Sequence, residues 1–204
     1  MTLRNRVLPT GEICAISERG LFMGNRGILH DDSGTMGTAR WRHKNWICCL
    51  TEFRGRKRLP MSPGMYTELF FMDEAVALAA GHRPCAECRR VDYQRYRDAW
   101  AAAFGHRPLA PEMDRALHSA RVQPRTREQR RHMADFASLP DGTFVRHKCE
   151  SWLVLGDSLR RFTPAGYDTA LPRPQSGEAE VMTPAPSVAV LAAGYRPQLH
   201  PSAF

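Results

Sequence analysis

Cys85-Ala86-Glu87-Cys88 is the segment whose spacing most directly names a chemistry. Two thiolates two residues apart can be aimed at one ion from a tight turn, and structural zinc commonly uses such knuckles. The same spacing serves dithiol redox chemistry, but that use needs the pair at a helix start after a strand. Here it follows an alanine-rich helical pattern and a Gly81-His82-Arg83-Pro84 turn. Zinc is therefore the leading reading, ahead of unliganded thiols and of a redox pair. A second source of thiolate lies upstream, at the adjacent residues Cys48 and Cys49.

Other residues offer chemistry with less specific spacing. His30 and Asp31 follow a glycine-rich turn. Asp114 and His118 are four apart, so a helix would place them on one face, where the carboxylate favours the imidazolium. Glu68 stands in an otherwise apolar strand pattern beside Leu69, Phe70 and Phe71. Histidine with carboxylates suits hydrolysis, as a general base or as ligands of a divalent ion. The competing readings are a capped loop, an exposed helix pair worth a few tenths of a kcal/mol, and the wet face of a strand. Basic residues gather in two places, Arg54, Arg56, Lys57 and Arg58, and then Arg125, Arg127, Arg130 and Arg131 with Arg115 and Arg121 before them. The planar guanidinium fork bonds two phosphate oxygens, which suits nucleic acid; a solvated face is the alternative.

The elements that must position these groups follow from periodicity and turn residues. Strands are expected over 45–53 and 66–72. A helix over 74–80 starts at Asp73 and stops at Gly81. Tyr93, Tyr96 and Trp100 repeat at helical spacing within 90–104, with further helices over 113–121 and 126–137. Strands recur at 143–146 and 152–155, and the Pro- and Gly-rich stretch 164–179 reads as an irregular loop. Residues 180–195 read as strand, a cap at Ser187, and a short helix. The run Val76 to Pro84 is echoed by Ala189 to Pro197, including Gly-aromatic-Arg-Pro. The fold class is α+β: a small mixed sheet with the knuckle in 1–92, a basic helical middle in 93–137, and a small β-containing part in 138–204.

Lys and Arg exceed Asp and Glu by 29 to 21, a net charge of +8 that favours polyanionic partners. No apolar run reaches the ~18 residues of a membrane span. The N-terminus leads into no signal core, so no membrane association and a cytoplasmic location are expected. Six cysteines in such a chain point to metal or free thiols rather than a disulfide framework.

Residues Phe70 to Arg89, through Gly81-His82-Arg83-Pro84-Cys85-Ala86-Glu87-Cys88, resemble the second half of the metal-binding domain of the Ada DNA-repair family. The resemblance extends loosely over 40–90. It implies Zn2+ held by four cysteines on a small α/β frame, a nucleic-acid partner with DNA ahead of RNA, and a setting in DNA repair or defence. The family supplies its first two ligands as Cys-x-x-x-Cys, whereas Cys48 and Cys49 are adjacent. Neighbours on a strand face opposite ways, so one is expected to ligate and the other to pack. Cys14, His30 and His43 are then candidates for the fourth position, although Cys14, like Cys149, also reads as a buried small residue. The functional alternatives are a metal-dependent hydrolase or nuclease built on Glu68, Asp114, His118, His30 and Asp31, and a zinc-stabilised adaptor. Convergence of Glu68, His30, Asp114 and His118 in one pocket would favour an enzyme, and dispersal over the surface a binding module.

Overall fold

The computed structural model describes residues 2–55 and 59–204. Arg56, Lys57 and Arg58 of the first basic cluster lie outside the described residues. Among the described residues the fold is α+β, with two six-stranded sheets and four α-helices. The first sheet is mixed. It holds β1 (Arg4–Val7), β2 (Ile13–Ala15), β3 (Phe22–Asn25), β4 (Ile47–Leu50), β5 (Leu69–Phe71) and β6 (Arg83–Pro84), in the order β2-β1-β5-β3-β4-β6. The pairs β1–β5 and β4–β6 are parallel. Gly24 has to be glycine for β3 to lie against β4, because a Cβ there would sit 2.2 Å from the Ile47 carbonyl oxygen.

Between the sheets lies α1 (Glu74–Ala79), with all six residues buried. Apart from Glu74 this helix is apolar on every side, which places it in a core, and the core is a shared one. Ala75, Val76, Ala77 and Ala79 join Leu69 and Phe71 of the first sheet and Phe144, Leu153, Tyr167 and Met182 from the C-terminal part in one buried cluster. Leu78 faces a second cluster made by α2 (Arg90–Phe104), α3 (Ala110–Arg121) and α4 (Ala185–Ala192), where Tyr93, Tyr96, Trp100, Met113, Leu117, Val190, Leu191 and Tyr195 pack. The expected cap is present: Asp73 Oδ1 accepts from the Val76 amide at 2.9 Å. Among the described residues no helix is long and apolar enough to cross a membrane.

The second sheet is antiparallel throughout, ordered β11-β10-β9-β8-β12-β7: β7 (His132–Asp135), β8 (Phe144–His147), β9 (Glu150–Leu155), β10 (Ser158–Thr163), β11 (Gly166–Pro172) and β12 (Glu178–Val181). Three local expectations are corrected. The stretch 164–179 is largely strand, because its Pro and Gly residues sit at the ends of β11 and not inside it. The basic stretch 126–137 is not an α-helix; only its last two residues enter a 3-10 turn, Phe136–Ser138. Val122 pairs with Gln129, and the Gln129 side chain donates to the carbonyls of Pro9, Ala79 and Met182. From His132 the chain then adds to the sheet edge beside β12, so tertiary pairing overrides local propensity. Ser187 does not cap α4, whose N-cap is Pro184; its hydroxyl shares a hydrogen bond with Tyr96 inside the helical cluster.

The internal echo has a structural counterpart. His82 N donates to Ala77 O and Gly81 N to Leu78 O, while Tyr195 N donates to Val190 O and Gly194 N to Leu191 O. Gly81 and Gly194 both have positive φ, at 84° and 102°. The Tyr195 hydroxyl then donates to Glu74 Oε1 at 2.5 Å, the Gln198 amide donates to Glu74 Oε2, and Arg89 Nη2 meets that carboxylate at 2.8 Å. Both members of the Glu74–Arg89 pair have fully buried side chains. Glu74→Ala leaves Asp92 as the one carboxylate on the buried Arg89 guanidinium and takes away the acceptor of the Tyr195 hydroxyl, so it should lower stability by about 1–3 kcal/mol. Urea denaturation followed by circular dichroism reads this as a lower midpoint; an unchanged midpoint would refute it.

Candidate metal centre

Three of the thiols converge. The sulfurs of Cys49, Cys85 and Cys88 all lie within 4.8 Å of one another, and among the described residues this is the one group of three or more His, Cys, Asp or Glu donors so placed. The sequence folds this way because β4 and β6 run parallel, with Cys48 opposite Pro84 and the Cys85 amide donating to Cys48 O at 2.9 Å. That register delivers the knuckle to the end of β4. Strand alternation settles which of the adjacent cysteines takes part. Cys49 faces the knuckle, while Cys48 points into the core, fully buried beside Leu69 and Phe71, and accepts from Arg89 Nη1 at 3.3 Å. Cys48 is thus the packing member of the pair.

Backbone donors complete the arrangement, and no side-chain pattern announced them. The Leu50 amide donates to Cys88 Sγ and the Glu87 amide to Cys85 Sγ, each at 3.4 Å. Amides aimed at sulfur stabilise thiolate charge. The thiols also share protons. Cys85 is pushed well below the usual thiol range by accepting from Cys49 and Cys88, and Cys49 is pushed up by donating to both and by burial. A cation bound there would displace the thiol protons and take thiolate ligands. Zinc fits the donor set: tetrahedral sulfurs at Zn–S distances of ~2.3 Å lie about 3.8 Å apart, inside the 4.8 Å within which the three sulfurs lie. The three cysteines would hold the ion and leave one position for a further donor.

The candidates for that fourth position sit elsewhere. Cys14 is half-buried on β2. His30 has its Nδ1 on Thr67 Oγ1 at 2.6 Å and its Nε2 on Ser62 O at 3.2 Å. His43 Nε2 meets Asn25 Oδ1 at 2.9 Å. Cys149 is exposed rather than buried, in a turn where its φ of 63° suits the β8–β9 connection.

Among the described residues no three of the carboxylates and histidines read as catalytic candidates bring their donor atoms to one point. Asp31 caps its own loop, accepting from Ser33 N, Ser33 Oγ and Thr35 N. Glu68 is buried in the first sheet's surroundings and accepts from the Met61 amide at 2.7 Å. Asp114 and His118 do share α3, but not a hydrogen bond. Asp114 takes a bidentate pair from Arg83, 2.8 Å at each oxygen. His118 Nδ1 accepts from Arg121 Nη2 at 3.1 Å, and partial burial with Arg121 and Lys44 pushes its pKa down to about 4. The expected imidazolium is therefore a neutral acceptor, because the nearby charges are cations. Of the basic residues, Arg54 is exposed with its guanidinium 5.0 Å from the Phe53 ring, Arg125, Arg127 and Arg130 are exposed, and Arg131 pairs with Glu180 at 2.9 Å.

No family model matches the chain, and neither the curated proteins nor the solved structures contain a match.

The two adjacent cysteines make a paired test. Cys49→Ser should reduce bound metal from about one equivalent per chain to a small fraction, because a site with two thiolates is weak. Cys48→Ala should keep full occupancy and show only the milder cost of a smaller core side chain. Elemental analysis of protein purified without added metal reads both; equal losses in the two variants would overturn the assignment.

Proposed function

We propose that this chain is a zinc-holding, nucleic-acid-binding protein, with DNA ahead of RNA as its partner. The observation that carries the reading is the convergence of Cys49, Cys85 and Cys88 on one point, in the segment that resembles the Ada-family metal module. Zinc there acts structurally: it clamps the end of β4 to the knuckle that leads into α2, and the clamp supplies folding free energy to an edge made of a two-residue strand. Its three thiolates match three of that family's four, and position 53, where a Cys-x-x-x-Cys starting at Cys49 would place the next ligand, is Phe53. The alkyl-acceptor chemistry of Ada itself is accordingly no part of the proposal.

Charge supports the partner. The net charge is +8, and Arg125, Arg127 and Arg130 project from the hairpin after α3 without an ion pair among the described residues. Cations left unpaired on an exposed loop are free to meet phosphates. The hydrolase alternative draws no support from the placement of Asp114 and His118, since each is held by a different arginine.

Binding to duplex and single-stranded oligonucleotides should weaken steeply with salt, since each neutralised phosphate releases condensed counterions. Replacing Arg125, Arg127 and Arg130 together by Gln should reduce the slope of log K against log salt by about 2–3. Fluorescence anisotropy across a salt series measures it. Absence of binding to any nucleic acid at low salt would overturn the partner and leave a zinc-stabilised adaptor.

A further inference from the structure

Away from the thiols, a cleft of about 540 Å³ opens between the β3–β4 connection, the end of α1 and the hairpin after α3. Its floor is made of two buried arginines. Arg26 and Arg121 are each 2% exposed. Their guanidinium carbons lie 4.1 and 3.7 Å from the ring centre of the same buried indole, Trp46. Neither arginine meets a carboxylate. Arg26 Nη1 donates to Gly11 O at 3.1 Å and its Nε to His82 Nε2 at 3.5 Å. Arg121 donates to the carbonyls of Gly81 and Lys44 and to His118. Arg26 Nη2 and Arg121 Nε are buried without a partner. Gly81 is required for this seat: at φ 84° it bears no Cβ, and one would lie 2.4 Å from Arg121 Cδ.

Guanidinium keeps its proton in proteins, and a buried charge needs a counter-charge or a dense set of acceptors. Cation–π contact with one indole meets part of that need. The nearby acids meet none of it directly. Asp114 is held by Arg83, and Glu180 by Arg131; Glu12 and Glu128 are exposed on the rim. The surroundings add positive charge instead, with Arg40 and Arg127 also lining the cleft. His82 is held neutral by burial, Arg26 and Arg121. A tetrahedral dianion satisfies several convergent N–H groups better than a planar monoanion does. The volume lies in the range of small-ligand sites. At the mouth Trp41 is half-buried, its ring 6.0 Å from Trp46 and edge-on to His118 at 5.3 Å, where a base could stack on its free face.

We propose that this cleft binds a phosphomonoester, with Arg26 Nη2 and the Arg121 guanidinium on the oxyanion and Trp41 against the attached nucleoside. As the end of a strand, the ligand rests on the nucleic-acid reading above; as a free nucleotide it does not. The site is separate from the thiol cluster and gives the protein a means of telling a phosphorylated terminus from a plain one.

The test uses the full zinc-loaded chain in phosphate-free buffer. Oligonucleotides with and without a 5′- or 3′-phosphate, a nucleoside monophosphate with its nucleoside, and inorganic phosphate are titrated by tryptophan fluorescence and calorimetry. A terminal phosphate should tighten binding about tenfold or more, as a charge-assisted contact does. Arg26→Met should abolish that preference. It should also raise, or leave unchanged, the melting temperature in phosphate-free buffer, because an uncompensated buried charge is replaced by an apolar side chain. A lower melting temperature with the preference retained would make Arg26 purely structural and overturn the proposal. Should Arg26→Met not fold, the exposed rim variant Arg40→Gln and the mouth variant Trp41→Ala must each weaken the preference; neither doing so overturns it. Salt-dependent oligonucleotide binding indifferent to terminal phosphate sinks this site and spares the nucleic-acid reading. Binding of inorganic phosphate and the nucleoside monophosphate, without any oligonucleotide binding, upholds the site and sinks that reading.

Discussion

Two adjacent carboxylates at the start of a six-residue helix hold this molecule together. Asp73 caps α1 and also receives the Tyr167 hydroxyl at 2.8 Å and the His200 amide at 3.1 Å. Glu74, one residue on, receives Arg89, Tyr195 and the Gln198 amide. Burial pushes the Asp73 carboxyl up, against the hydrogen bonds that favour its charge. Groups this deep are tolerated only when every acceptor is used. The pair thereby ties the knuckle, the second sheet and the C-terminal tail to one turn of backbone, and α1 is too short to stand without them.

The thiol cluster inherits its geometry from that turn. Arg89 follows Cys88 directly, and its guanidinium reaches Glu74, Asp92 and Cys48 Sγ together. The residue after the second knuckle cysteine is thus anchored in the core. The Leu50 amide at the end of β4 and the Glu87 amide within the knuckle both donate to sulfur. A metal bound there finishes a site whose supporting contacts are already set.

The same helix shapes the cleft from its other end. The Gly81 exit from α1 gives Arg121 its seat, and His82, the next residue, lies under Arg26 with its imidazole 4.6 Å from the Phe71 ring and 5.2 Å from that of Trp46. One short element therefore separates a soft, thiolate-rich centre from a hard, cationic one. Each lies where its own chemistry demands: sulfur at a strand edge where backbone amides donate to it, guanidinium against an indole face and carbonyl oxygens.

Local rules made several features legible in the sequence alone. The cap at Asp73, the helix over 90–104, the strand around Cys48 and the opposed faces of Cys48 and Cys49 depend on hydrogen-bond geometry and period within a few residues. The α+β class followed from the same patterns. What the sequence could not settle were questions of partner across distance. Asp114 and His118 lie four apart on a helix, yet Arg83 and Arg121 claim them separately. The basic stretch 126–137 has helical propensity, yet Gln129 is drawn to three distant carbonyls and β7 to a sheet edge. Arg26 and Trp46 carry no motif at all. Their meeting with Arg121, 95 and 75 residues further along the chain, exists only once the fold closes, because local periodicity fixes which way a side chain points and only tertiary packing fixes what it meets.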